Sequence, residues 1–259
     1  MKFVFDEELE ERVAEFLRER NLNNVNKQSK EVKERKSIYT LFIKRILDVL
    51  IAVIALIITL PINIIIGMLV LVFHGYPILF KQPRIGKNGK VFTMYKFKSI
   101  KDEVDNMGHK RTMDERMSSM GLFLRKTSLD ELPNFINILK GDMSIIGPRP
   151  LLVSFGDRYS DRHMKRHLVK PGLESPRLID RKEGMTDYQY QLESDVWYVE
   201  NCSFISDCKM MFKLMEMFLE KKQRKKNAEL VSYFVGYDDM GMAINLTEAI
   251  ERYSEFSKK

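Results

Sequence analysis

An α-rich α+β fold, membrane-associated through one proline-interrupted helix, is the fold class that this sequence predicts. Three observations predict it. Residues 49 to 73 contain no charged side chain, and about 25 such residues make roughly 38 Å of straight helix against roughly 30 Å of hydrocarbon. The tetrad "KNGK" at residues 87 to 90 separates short β-prone pieces, as a tight hairpin requires. The segment "TSLDELPNFINILKGDMSIIGPRP", residues 127 to 150, holds a helix start, a glycine turn and an arginine between prolines.

Taken in order, the first element is a short amphipathic helix, because Leu9, Val13, Phe16 and Leu17 recur at helical spacing. Its charged start argues against a cleavable signal peptide. Residues 21 to 37 are polar and aperiodic and read as a linker.

The apolar run follows, with Pro61 at its middle. Proline removes a backbone hydrogen bond and kinks or breaks a helix, and Asn63 lies where its amide can bond a freed carbonyl. Lys33, Arg35, Lys36, Lys44 and Arg45 precede the run; Lys81, Arg84, Lys87, Lys90, Lys96 and Lys98 follow it. Basic residues favour the cytoplasmic side, so both flanks belong on one side. A re-entrant hairpin meets that condition, and a kinked single span is the alternative.

Beyond the hairpin, Lys96 and Lys98 alternate with Phe97, which sets two ammonium groups on one face of a strand. Ser128 and Glu131 have capping-box spacing, and Pro133 suits a first helical turn, so a helix begins near Leu132. Asp130 and Glu131 then stand at a helix N-terminus. They are either dipole-complementing caps or carboxylates kept ionised for chemistry. Arg125 and Lys126 lie just before them and Arg149 after them, in a "GPRP" turn that would aim a guanidinium for bidentate phosphate binding. Arg162, Lys165, Arg166 and Lys170 extend the basic set. So many cations around two carboxylates fit a diphosphate with Mg²⁺.

The formal charge of +7 favours polyanionic neighbours without choosing among them. Only Cys202 and Cys208 are present, too few for a disulfide framework or a structural zinc site. His163 and His167 read as part of a solvated or phosphate-facing basic helix rather than as metal ligands. Nucleic acid is not an expected partner, since the apolar run argues for a bilayer and no glycine-rich phosphate loop is present.

Residues 44 to 207 resemble the bacterial sugar transferases, the monotopic polyprenyl-phosphate phosphoglycosyl transferases. The resemblance rests on Lys44, Arg45, Asp48 and Pro61, on "FKQPRIGKNG" at 80 to 89, on "KFKS" at 96 to 99, on "LRKTSLDELPN" and "LKGDMSIIGPRPLL", and on "DVWYVEN" at 195 to 201. It implies a re-entrant membrane helix (37–79) and a catalytic domain (80–220) with interfacial amphipathic helices, which leaves the N-terminal helix and linker (1–36) and a C-terminal extension (221–259) outside it. It also implies that Asp130 attacks the β-phosphate of a nucleotide diphosphate sugar, usually a UDP-sugar. UMP leaves, and polyprenyl phosphate then displaces the aspartate. Glu131, with Asp130, would hold Mg²⁺ or assist the acceptor. Arg149 and Arg125 would clamp phosphate, with Lys96, Lys98, Arg84 and Arg166 as further phosphate-binding candidates.

The place implied is the cytoplasmic face of a bacterial plasma membrane, where a homo-oligomer is compatible with the sequence. Departures occur at "PGLESPRLIDRKEG", where the family usually continues Ile-Thr-Gly and no residue receives a firm role, at Lys98 for an arginine, and at Leu60 for a serine. The rival reading is a membrane-anchored scaffold whose acids only cap a helix.

Overall fold

A computed structural model of the chain describes residues 7–102, 116–219, 233–253 and 256. The first helix, α1 (Glu7–Leu17), continues through a widened turn into α2 (Asn23–Gln28). Its apolar stripe is the one the spacing predicts: Val13 and Leu17 are buried. They are buried against β5 (Phe234–Tyr237), β6 (Ala243–Asn245) and α9 (Leu246–Arg252) from the far end of the chain. The described residues near the two ends of the sequence thus pack on each other. Arg158 fastens them to the rest of the molecule, donating to Glu10 at 2.6 Å, to Glu11 at 2.8 Å and to the Phe234 carbonyl at 2.8 Å. The expected linker is also partly structured, with Asn23–Gln28 helical and Val32 buried beside Val196 and Val199.

The apolar run forms one helix, α3 (Lys44–His74), that continues through Pro61 instead of breaking there. Local side chains supply polar contacts around the lost bond. The Thr59 hydroxyl donates to the Ala55 carbonyl, and the Asn63 amide donates to the Thr59 carbonyl and hydroxyl, not to the carbonyl four residues before the proline. Both ends of α3 rest on the same body. Ala52 joins the main core with Met94, Ile138 and Ile146, while Ile66 and Val70 pack with Phe97 and Leu124. Between them no residue from 53 to 65 is buried, so the middle of the helix stands away from the protein.

After α3 the hairpin forms as predicted. β1 (Leu79–Ile85) pairs antiparallel with β2 (Val91–Phe97), and Asn88 and Gly89 take positive φ in the turn. Next come α4 (Ser119–Thr127), a 3₁₀ turn at Leu129–Glu131 and α5 (Asn134–Lys140). β3 (Ser144–Ile146) then pairs in parallel with β4 (Gly172–Glu174), and the connection carries α6 (Asp161–Met164). This pairing demands glycine at 147, because a Cβ there would stand 2.4 Å from the Lys170 carbonyl oxygen. α7 (Asp187–Asn201) and α8 (Phe204–Leu219) complete the main body.

The residues shared with the family's opening motif are splices between α3 and the core. Arg45 donates to the Ile138 and Leu139 carbonyls at 2.6 and 2.9 Å, satisfying the C-terminal end of α5. Asp48 accepts from the Ser144 hydroxyl and the Ile145 amide, and Lys44 pairs with Asp207 at 2.7 Å.

Candidate active site

Asp130 and Glu131 occupy the 3₁₀ turn that leads through Pro133 into α5. The expected capping box is absent. Ser128 adopts the left-handed conformation that closes α4, with φ of 57°, and its side chain caps nothing. The Glu131 side chain is captured instead by Lys96, whose ammonium lies 2.5 Å from the carboxylate, so it cannot reach back to residue 128. A helix-capping role does not account for these two acids.

Three elements converge on the pair. β2 brings Lys96; its backbone is pinned to α5 by Asn137, which donates to the Thr93 carbonyl at 2.7 Å and accepts from the Tyr95 amide at 3.1 Å. α4 brings Arg125, aimed by a 2.9 Å hydrogen bond from its Nε to the Ser99 hydroxyl. That contact needs α4 pressed on the strand end, where a Cβ on Gly121 would collide with the Ser99 carbonyl at 1.9 Å. The turn after β3 brings Arg149, whose field reaches Glu131.

Asp130 is only 7% exposed. Burial raises its carboxyl to about 6, against the pull of Lys96 and Arg125 and with the help of Glu131. Burial acts on Glu131 in the same direction, but Lys96 and Arg149 outweigh it and hold that carboxyl below its ordinary value. Two adjacent acids are thus driven apart, one a permanent anion and the other titrating near neutrality.

The remaining predicted residues divide. Arg84 lies beside Arg149; burial, then that neighbouring charge, pulls its guanidinium down to about 10, and its Nε has no partner among the described residues. Lys98 follows β2, is buried and pairs with Asp102 at 2.8 Å. Arg166 is corrected from a phosphate contact to an internal strut. It is 1% exposed, ion-pairs with Asp195 at 2.5 Å and donates to the Arg149 carbonyl at 2.7 Å. Its contribution is to fix the turn that presents Arg149. His163 and His167 are likewise buried, not solvated; His163 sits between the Tyr237 hydroxyl and Glu193.

Sequence reasoning missed Asn137 and Glu174. Asn137 reads as an ordinary helix residue until β2 is seen beside it. Glu174 ends β4, and Arg177, Arg149 and Glu131 all act on its carboxyl, which burial raises.

A buried aspartate flanked by a second carboxylate and convergent cations is a phosphoryl-transfer site in outline. The pattern described as "Bacterial sugar transferase" matches residues 39–221, and the chain belongs to that family. It is 35% identical over 199 residues to the uncharacterized sugar transferase EpsL of Bacillus subtilis (strain 168), covering 76% of this chain and 98% of that protein. It is 37% identical over 179 residues to the UDP-glucose:undecaprenyl-phosphate glucose-1-phosphate transferase of Escherichia coli (strain K12), covering 66% of this chain and 39% of the relative. With the UDP-N-acetylgalactosamine-undecaprenyl-phosphate N-acetylgalactosaminephosphotransferase of Aeromonas hydrophila it shares 35% over 185 residues, 69% of this chain and 44% of that protein. The chain thus spans nearly all of the first relative and less than half of the other two.

Proposed function

We propose that the protein transfers a sugar 1-phosphate from a UDP-sugar to polyprenyl phosphate, through a phosphosugar bonded to Asp130. The observation that carries this reading is the placement of Asp130 in a tight turn where Lys96 and Arg125 act on it and Arg149 acts on its neighbour Glu131. The names of the relatives from Escherichia coli and Aeromonas hydrophila support UDP-sugars and undecaprenyl phosphate as the substrate classes.

In the first step an Asp130 carboxylate oxygen attacks the phosphorus that bears the sugar. The bond from that phosphorus to the bridging oxygen breaks, and UMP departs with the electron pair. In the second step a phosphate oxygen of the polyprenyl acceptor attacks the same phosphorus, and the Asp130 carboxylate leaves. Arg149 and Arg84 hold the diphosphate oxygens, Arg125 steadies the charge that builds beside Asp130, and Lys96 keeps Glu131 ionised.

Mg²⁺ suits this donor set. Among the described residues no three acidic, histidine or cysteine side chains form a cage, and Mg²⁺ characteristically takes one or two carboxylates together with substrate phosphates and water. Glu131, with Asp130, would hold it, and the ion would neutralise charge on the diphosphate.

The exposed apolar helix supports the same reading. α3 is long and apolar enough to cross a bilayer, yet both its ends dock on one body while residues 53 to 65 face outward. A helix that dips into the cytoplasmic leaflet and returns satisfies this arrangement and the basic flanks. Leu41 and Phe42 before it, Phe123 on α4 and Phe204, Ile205 and Phe212 on α8 are exposed apolar side chains of an interfacial belt. A site resting there receives the lipid without drawing its tail into water, where each CH₂ costs roughly 0.8 kcal/mol.

The test is a UMP-release screen across UDP-sugars with polyprenyl phosphate in membranes or micelles. At least one donor is expected to turn over, and Asp130→Asn to abolish that turnover while leaving membrane association intact. Full activity in Asp130→Asn would refute the nucleophile assignment.

A further inference from the structure

We propose that Glu174 and Ser175 form the sugar-selecting wall of the site, hydrogen-bonding hydroxyl groups of the donor's sugar rather than its phosphates. The inference rests on the transferase reading above and deepens it.

The placement comes from the parallel pairing of β3 with β4. Glu174 is the last residue of β4, and its carbonyl accepts from the Gly147 amide at 3.0 Å. The strand therefore delivers its end to the start of the turn that carries Arg149. From there the Glu174 carboxyl interacts with both Arg149 and Glu131, so it belongs to the same site as the reacting pair. Ser175 is 7% exposed, and its hydroxyl has no hydrogen-bond partner among the described residues. A buried hydroxyl left unpaired costs free energy, which a ligand that pairs with it restores.

The segment is also held still, as selection requires. Pro176 is buried, Leu178 packs on the main core, the Lys213 ammonium donates to the Arg177 carbonyl, and the Tyr190 hydroxyl donates to the Ile179 carbonyl at 3.3 Å.

Chemistry identifies the group that this wall faces. A carboxylate that neither attacks phosphorus nor holds Mg²⁺ only repels phosphate oxygens, which turns Glu174 away from the diphosphate. An isoprenoid tail offers it nothing to bond. A sugar attached to the phosphorus that Asp130 attacks lies beside the pair and presents neutral hydroxyls, which donate to a carboxylate and both donate to and accept from a serine. Sites built to bond a hydroxyl reject donors that lack it in that place far more strongly than apolar pockets do.

The experiment uses the full chain in lipid nanodiscs or micelles. It measures kcat/KM for UDP-glucose, UDP-galactose and their N-acetyl counterparts in the wild type, Glu174→Gln, Glu174→Ala and Ser175→Ala. UMP inhibition, Mg²⁺ titration and thermal denaturation accompany each variant. The expected result is a loss of about tenfold or more on the preferred donor and a comparable narrowing of its ratio to the others, with UMP inhibition and the Mg²⁺ midpoint unchanged. Equal losses on all donors, unchanged ratios, or a raised Mg²⁺ requirement in Glu174→Gln would overturn the inference while the transferase reading stands; the last would make Glu174 a metal ligand. A wild type that releases UMP from no donor would overturn that reading and this inference together.

Discussion

Asp130 carries a conflict between burial and charge, and that conflict has consequences for both rate and stability. Its carboxyl titrates at about 6 because burial outweighs Lys96 and Arg125. Only the ionised form attacks phosphorus, so UMP release should rise about tenfold per pH unit below 6 and level off above it. Since Lys96 pulls this value down, Lys96→Met should move the inflection to higher pH, measured as a pH–rate profile for the first turnover. Folding responds in the opposite sense. The folded protein binds this proton more tightly than the unfolded chain, so the penalty for ionising Asp130 is absent below pH 3.8, grows towards 6 and is complete above it. From 3.8 to about 6 the penalty is on the order of 3 kcal/mol. Asp130→Asn should therefore raise the Tm at pH 8 in EDTA and leave it little changed at pH 3.5. The acid pair, Arg125 and Arg149 were legible in the sequence because they lie in one short block. The left-handed Ser128 was not, since it closes α4, and Glu131, its expected capping partner, is held by Lys96 from a strand more than thirty residues away.

Elements, rather than single side chains, set where the site sits. α3 is spliced to α5 and β3 by Arg45 and Asp48, so the apolar helix and the turn that bears Asp130 form one mechanical piece. The Arg149 turn is held from behind by Arg166, itself paired with Asp195 on α7. Asp195→Asn would leave a buried guanidinium without its counter-charge, and a loss of about 3–5 kcal/mol is expected in denaturant titration. Activity lost through Arg149 should be worse than stability alone explains. Periodicity and turn chemistry predicted the first helix, the hairpin and the helix start. They did not separate Arg166 and His163 from the solvated cations around them, because their partners Asp195 and Glu193 lie about thirty residues later and only the fold brings them near. Pro61 was expected to kink or break the helix; α3 runs through it, and the Asn63 amide bonds Thr59 rather than the carbonyl that the proline leaves free.

At the scale of the whole molecule, α1 packs against β5, β6 and α9. The contact of α1 with β5 and β6 joins residues more than two hundred apart, which no local pattern reveals; the apolar stripe of α1 showed that a partner existed, not which one. The outward-facing middle of α3 predicts a topology. Single cysteines at Ser29 and Lys101, in a Cys202→Ser, Cys208→Ser background, should both be labelled from the cytoplasmic side of sealed vesicles, and labelling from opposite sides would contradict the re-entrant arrangement. In the proposed reaction this architecture serves one bond between an aspartate oxygen and phosphorus. The most direct measurement is mass spectrometry of the protein after brief exposure to its UDP-sugar and Mg²⁺ with no polyprenyl phosphate. The account predicts a sugar-phosphate adduct on the peptide bearing Asp130, discharged when polyprenyl phosphate is added and missing in Asp130→Asn. Steady turnover with no adduct, or an adduct on another residue, would contradict it.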